Sequence, residues 1–310
     1  MKKLLVYLRP YRLQAILAPV FKLLEAAFEL LVPLIMADII DVGIAAGDTG
    51  YILKKCLLLV GLGLCGFASA TCAQFFSAKA ATGATASLRH ALFAHIQSLS
   101  YAELDTIGPA TLVTRMTSDM NQVQTGLNLT LRLLLRSPIV VFGSMIMAFT
   151  IDVRSALIFV VTIPVLFARE QTETESFDGR LDGLFAAQRF VGKLSALLNP
   201  LTYVVINLAI VAILKTGSVR VDAGVITQGQ LIALYNYMSQ ILVELIKFAN
   251  LILNITKSVA CAGRISQVLE TKSSMADGQD ALPDGSGSPA LQFCEVSFRY
   301  PGAGADALSS

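Results

Sequence analysis

The chain alternates long apolar segments with shorter polar ones. Five of the apolar segments are long enough to cross the ~30 Å apolar core of a bilayer, and a sixth is shorter. The six predicted spans cover about residues 14–40, 52–77, 127–150, 155–168, 194–214 and 231–255. The pattern predicts an all-α polytopic membrane protein whose transmembrane domain occupies residues 14–270.

The fourth apolar segment ends early. Between Arg154 and Arg169 it provides about 14 residues, or roughly 21 Å of helix, and then continues directly into the polar stretch FAREQTETESF. We expect residues 156–166 to cross nevertheless, with neighbouring helical turns or local thinning of the bilayer compensating for the missing length.

Lys and Arg residues are concentrated at alternate ends of the segments, which is the bias expected for cytoplasmic flanks. Those at the opposite ends are few: Lys54, Lys55, Arg154, Lys215 and Arg220. Six crossings with both termini in the cytoplasm, in a plasma membrane, fit this distribution. The composition agrees, since 55% of the residues are hydrophobic and 15% charged, against about 25% charged in soluble domains. The net charge of +2 is too small to indicate nucleic-acid binding.

Four further segments complete the predicted organisation. Residues 1–13 are expected to form a cytosolic amphipathic helix, and residues 78–125 have the helical periodicity of a long cytosolic hairpin. Residues 271–289 are rich in Ser, Gly, Asp and Pro, which indicates a linker. Residues 290–310 include LQFCEVSFRYP, which alternates like an exposed strand. Since one strand cannot bury a core, we expect this short β segment to be the start of a truncated domain.

Taken together, these features resemble a half-transporter of the ATP-binding cassette (ABC) exporter family, of the bacterial multidrug and lipid type. The resemblance is most specific in FELLVPLIMADIIDVGI, GPATLVTRMTSDMNQVQ, FAREQTETESF and LQFCEVSFRYPGAG. It implies a six-helix transmembrane domain with long cytosolic helical extensions, embedded in the lipid bilayer and paired with a second half-transporter as a homo- or heterodimer. ATP and Mg²⁺ are the cofactors expected for the family.

The resemblance also implies roles for two segments. Residues 111–124 would contain the first coupling helix, which docks in a groove of the nucleotide-binding domain. Its predicted docking surface is an apolar ridge with flanking charges, formed by Leu112, Val113, Arg115, Met116 and Asp119. Tyr300 would stack on the adenine ring of ATP.

The sequence departs from the family pattern in two ways. FAREQTETESF matches the helix that approaches the fifth span, yet here it directly follows the fourth, so the cytosolic loop between these spans appears as a deletion and the second coupling helix is expected to be absent. The other departure is that no G-x-x-x-x-G-K-[ST] phosphate loop occurs in the 310 residues. The nucleotide site is therefore expected to be incomplete, without catalytic residues, and the chain is not expected to hydrolyse ATP alone.

Charged residues inside the spans are the candidate substrate pathway. Glu25 and Glu29 lie one turn apart in the first span, and Glu244 and Lys247 form a similar pair in the sixth. Intramembrane charges are costly and normally face a cavity or a partner, so Glu25 and Glu29 could bind cationic groups of a substrate, and Glu244 and Lys247 could also belong to the pathway. Alternatively, Lys22 neutralises Glu25, and Glu244 and Lys247 satisfy one another. No metal site is expected, because the cysteines form no CxxC pair and the two histidines do not share a helix face.

Three functional hypotheses follow. The first is the permease subunit of an ATP-driven exporter that moves hydrophobic or amphipathic compounds by alternating access as a dimer. The second is a non-transporting truncated remnant or interaction subunit. The third is an ATP-independent channel or carrier, which would conduct solute without any nucleotide-binding domain.

Overall fold

The computed structural model describes residues 4–160, 203–204, 207–274, 295–299 and 304–308, most of which are helical. The helices are α1 (Arg12–Asp38), α2 (Thr49–Gln97), α3 (Tyr101–Ile107), α4 (Pro109–Thr114), α5 (Met120–Leu133), α6 (Arg136–Ile151), α7 (153–160), α8 (207–222) and α9 (Gln228–Glu270). Short π-helical segments, Ile39–Ile44 and Arg115–Asp119, follow α1 and α4. The predicted all-α fold is confirmed.

The N-terminal segment is helical but of a different type from the one expected. Leu4–Tyr11 forms a 3-10 helix that contains Pro10 and leads into α1. The ring of Tyr11 lies against Gly83 of α2, where a Cβ would collide with it. The segment is thus fixed on α2 by a close approach that requires glycine.

Two helices are far longer than a bilayer is thick. α2 has 49 residues and α9 has 43, or about 74 Å and 65 Å at 1.5 Å per residue. The predicted boundary between the second span and the hairpin near residue 77 is not a break in the backbone, because the alanine-rich residues that follow favour helix. Asp48 caps the start of α2, and a capping box of Thr227 and Gln230 starts α9.

The buried apolar residues form two clusters at different levels of the bundle. One joins α1, α6, α7, α8 and α9 around Tyr237, whose hydroxyl donates to the Leu30 carbonyl at 2.9 Å. The other joins α2, the hairpin and the end of α9, and comprises Leu88, Leu92, Leu112, Met120, Ile265 and Val268. The hairpin therefore packs on α9 of its own chain.

Polar contacts bring together loops that the charge bias predicted on one side of the membrane. Asp152, between the third and fourth predicted spans, lies 2.5 Å from Arg220, which follows the fifth. Asp41, after the first span, accepts from the Gly229 amide at 2.8 Å at the start of the sixth. These contacts agree with the predicted order of crossings, although the number of crossings stays a prediction.

By length and composition, three described helical stretches could cross a membrane: Thr49–Gln97, Pro109–Ile151 and Gln228–Glu270. α1 is also long but carries Lys22, Glu25 and Glu29. α8 continues to residue 222, past the predicted end of the fifth span at residue 214, and its last turns carry the Arg220 that pairs with Asp152. Most of the short fourth span lies outside the described residues.

The C-terminal segment contains one antiparallel bridge rather than a ladder of strands. Phe298 and Leu308 exchange backbone hydrogen bonds, with the Phe298 amide 2.9 Å from the Leu308 carbonyl. Glu295 has a φ of +44°, which interrupts the extended backbone predicted for this stretch. Within residues 295–299 and 304–308, the predicted strand is therefore reduced to a single bridge.

Candidate functional site: an ion network beside an open cleft

Arg136, the first residue of α6, lies at the centre of an ion network between three helices. The residue is 5% exposed, and its guanidinium binds the carboxylate of Glu244 on α9. It also lies 2.5 Å from Glu29 and 3.9 Å from Glu25, both on α1. One cation thus connects α1, α6 and α9 inside the bundle.

Neighbours on the same helices complete the network. Lys22 Nζ lies 2.6 Å from Glu25, and Lys247 Nζ lies 2.7 Å from Glu244, each one helical turn away. The Ser137 hydroxyl donates to the second oxygen of Glu244 at 3.1 Å. Three carboxylates face three cations, so the network is neutral. This balance is the physical requirement for placing charges in a low-dielectric interior.

An open cleft of about 460 Å³ lies beside the network. Its lining comprises Glu29, Val32, Pro33, Met36, Val140, Asn236, Ser239, Gln240, Val243, Glu244 and Lys247. The side chains of Glu29 and Lys247 are 42% and 44% exposed, whereas those of Arg136 and Glu244 are 6% and 4% exposed. The cleft therefore presents one accessible carboxylate, Glu29, and one accessible ammonium, Lys247. The ion pair of Arg136 and Glu244 between them is buried.

The structure brings three of the four predicted pathway residues to one cleft. Glu29, Glu244 and Lys247 line it, but Glu25 does not. Lys22 neutralises Glu25 as the alternative interpretation required, and the Glu244–Lys247 contact is also present. A role of these residues in substrate passage stays a prediction.

Sequence reasoning missed Arg136, which it counted among the flanking basic residues. The signal was available, because Arg136 falls inside the predicted third span at residues 127–150 and the predicted first span carries more acidic than basic residues. A cation in a span opposite carboxylates in other spans indicates a partner rather than a flank.

The predicted docking ridge in the hairpin is only partly available. Leu112 is 7% exposed and packs in the core with Ile265, and Met116 packs against the same cluster. Asp119 is 4% exposed, whereas Val113 is 62% exposed. Leu112 and Met116 thus pack the hairpin on its own chain, and Val113 is the most exposed of the three apolar residues. Docking itself stays a prediction.

Asp119 instead forms a second ion cluster that ties the hairpin to α9. Its carboxylate accepts from Arg264 Nε at 2.9 Å and from Arg115 Nη1 at 2.8 Å. The hydrogen bonds from Arg264 lower the pKa of Asp119 to about 2, and the same contact raises the pKa of Arg264. Burial raises the pKa of the neighbouring Cys261 thiol. The ion pair of Asp119 and Arg264 therefore stays charged throughout the physiological pH range.

The tip of the hairpin also holds the chain that leaves α9. His95 Nε2 lies 3.0 Å from the Thr271 carbonyl, and the hydroxyls of Ser100 and Ser274 are 3.1 Å apart. The Ser274 amide donates to Glu103, whose pKa is lowered by the hydrogen bonds that it accepts from Ser100 and Ser274. The hairpin tip and the start of the predicted linker are thus one connected unit.

Two further predictions concern nucleotide and metal binding. Tyr300 lies outside the described residues, so adenine stacking stays a prediction, as does the incomplete ATP and Mg²⁺ site. Among the residues that the structure describes, no cluster of three or more His, Cys, Asp or Glu side chains could hold a metal ion.

The transmembrane region of the ABC transporters is the family that matches this chain, over residues 15–168 and 165–245. The two matched segments meet at residues 165–168, where FAREQTETESF begins.

Individual relatives show the same similarity. The uncharacterized ABC transporter ATP-binding protein YfiB of Bacillus subtilis is 29% identical over 99% of this chain and 61% of its own length. A similarly described protein of Mycobacterium tuberculosis is 26% identical over 96% of this chain and 58% of its own. The ATP-dependent lipid A-core flippase of Salmonella typhimurium is 20% identical over the same shares. The chain spans about three fifths of the length of these relatives.

Proposed function

The chain belongs to the transmembrane-region family of the ABC transporters, and we propose that it is the permease part of an ATP-driven exporter of hydrophobic or amphipathic compounds. The observation that carries the proposal is the cleft between α1, α6 and α9. Its apolar lining suits hydrocarbon, while Glu29 and Lys247 offer charges to a polar group. An amphipathic compound has both parts.

The long helices provide a route between the cytosolic end and the cleft. α9 contacts the hairpin through Arg264 and Asp119 and lines the cleft through residues 236–247. A displacement of the hairpin by a docked nucleotide-binding domain would therefore act on α9 and, through Glu244, on Arg136 and α1. In alternating access, this displacement would open the cleft to one side of the membrane and then to the other, with a second half-transporter completing the pathway. A bacterial plasma membrane, with both termini in the cytoplasm, is the proposed location.

We also propose that this chain lacks an internal segment near residues 165–168, with the second coupling helix among the missing residues. Two observations support this. The family matches in two pieces that meet there, and the alignment with YfiB runs over 349 residues, more than the 310 of this chain. Docking of a nucleotide-binding domain would then depend on the hairpin of α2 to α5.

The alternative function is a non-transporting remnant or interaction subunit. The same alignment favours it, because a chain that has lost an internal segment could have lost transport as well. The two hypotheses differ in whether the chain assembles and transports. Coexpression with a candidate partner half, purification in lipid nanodiscs and measurement of copurification would separate them. The exporter predicts a complex of the two halves that survives purification. Absence of any complex under these membrane-preserving conditions would support the remnant.

A further inference from the structure

We propose that the cleft binds the headgroup of a zwitterionic amphiphile, with its cationic group at Glu29 and its anionic group at Lys247. This rests on the proposed function in that the ligand would be the cargo, but it concerns a site that can be tested without transport. It extends the expectation drawn from the sequence, which assigned cationic groups of a substrate to Glu25 and Glu29 and no ligand group to Lys247.

The first step of the argument is that the buried charges of the network are already paired. Arg136 and Glu244 are 5% and 3% exposed and bind each other. Neither offers a free face of useful size to a ligand. The charges left for recognition are the two partly exposed groups, Glu29 and Lys247, which lie on different helices and border the same cleft.

The second step is the charge balance. Three carboxylates and three cations make the network neutral before any ligand binds. A ligand with one sign of charge would leave a net charge in a region of low dielectric, which is costly. A zwitterion adds no net charge and gives each of the two accessible groups a further contact of opposite sign, beside the one that it already makes within the network.

The third step is distance. Glu29 is joined to Arg136, Arg136 to Glu244 and Glu244 to Lys247 by three consecutive hydrogen-bonded contacts. Since each such contact measures about 2.5–3 Å, the two accessible charges lie within roughly 10 Å of each other. A headgroup whose ammonium and phosphate are separated by a short carbon link can approach both. The apolar side chains Val32, Met36 and Val243 then face its hydrocarbon part.

The chain contains no Trp, which permits a single fluorescent reporter. Val243 lines the cleft and is 50% exposed, so Val243→Trp places the only indole beside the site. Quenching of this Trp by phospholipids with brominated tails, titrated into uncharged maltoside micelles, measures binding. The probes share their tails: a phosphatidylcholine, its cationic ethyl phosphotriester and an anionic phosphatidylglycerol.

The phosphatidylcholine is expected to quench at a concentration about tenfold lower than either singly charged lipid, since it gains one more charge-assisted contact than they do. Glu29→Gln and Lys247→Gln should each weaken phosphatidylcholine binding by about the same factor. Asp38→Asn and Lys55→Gln are the matched controls, because they neutralise an ion pair of the same chemistry that lies outside the cleft, and they should leave binding unchanged.

Equal binding of the cationic and zwitterionic lipids would overturn the inference, and so would unchanged phosphatidylcholine binding in both cleft variants. The lipid panel gives the first result on the Val243→Trp chain alone, so that result does not depend on how the Glu29 and Lys247 variants fold. Selective binding without ATP-driven transport beside a partner half would contradict the proposed function but not the site. Transport of cationic amphiphiles alone would contradict the site but not the function.

Discussion

Replacing Arg136 by Gln tests whether the ion network holds the bundle together. The substitution leaves Glu244, which is 3% exposed, without its guanidinium partner. Glu29 has a side chain that is 42% exposed and can regain water. The cost therefore comes mainly from Glu244.

Breaking a buried pair by removing one partner costs about 3–5 kcal/mol. Glu244 keeps its contacts with Lys247 at 2.7 Å and with Ser137 at 3.1 Å, so the lower end of that range, about 3 kcal/mol, is expected. At roughly 2–4 °C per kcal/mol, the midpoint of thermal unfolding should fall by about 6–12 °C. A thiol-reactive fluorophore can follow unfolding through Cys261, which is 7% exposed, once the other cysteines are replaced by alanine.

Arg132→Gln is the matched control, because Arg132 lies one turn earlier in the chain and has no ion pair among the described residues. Its replacement should change stability by less than about 0.5 kcal/mol. The double variant Arg136→Gln, Glu244→Gln should regain part of the lost stability, since both buried charges are then removed and neither is left unpaired. The reasoning would be refuted if Arg136→Gln destabilised the chain no more than Arg132→Gln.

Two further predictions concern the cytosolic end. Gly126→Ala should destabilise by about 1–3 kcal/mol, because a Cβ there would collide with Ser258 of α9, whereas Gly263→Ala meets open space and should not destabilise; equal melting temperatures of the two variants would contradict this packing. The folded-state pKa of Asp119, about 2, lies below its ordinary value of 3.8, so its ion pair stabilises fully above pH 3.8 and is lost as the pH falls towards 2. The free energy of unfolding of Asp119→Asn should therefore fall by about 1–2 kcal/mol less on acidification than that of the unaltered chain. Identical acid unfolding curves would contradict the role of the Asp119–Arg264 ion pair.

Much of the fold follows from the sequence because hydropathy and helical period are properties of consecutive residues. The apolar lengths predicted α1, α2 and α9, and the helical periodicity of residues 78–125 predicted the helices of the hairpin. The ends of helices were harder to place. α2 crosses the predicted boundary near residue 77 without a break, because alanine-rich sequence favours helix in membrane and cytosol alike.

The sequence could not predict which residues of different helices contact each other. The lengths and charges of single segments do not say that Arg136 meets Glu29 and Glu244 rather than lipid headgroups. The same is true of Leu112, whose apolar character suits a docking surface as well as the core in which it packs. The sequence identifies the partner of an intramembrane charge when the opposite charge lies a turn away, as Lys22 does from Glu25. For Arg136 it indicates that a partner exists, but not which residue that is.

ATP-dependent transport is the most direct test of the proposed exporter. Inside-out vesicles that contain this chain and a partner half would be given a fluorescent zwitterionic amphiphile, and its accumulation would be recorded with and without ATP and Mg²⁺. Vesicles with a partner half whose phosphate-loop Lys is replaced provide the control. Accumulation that requires ATP, this chain and the intact partner is the expected result. Accumulation without ATP, or equal accumulation when this chain is omitted, would contradict the proposal.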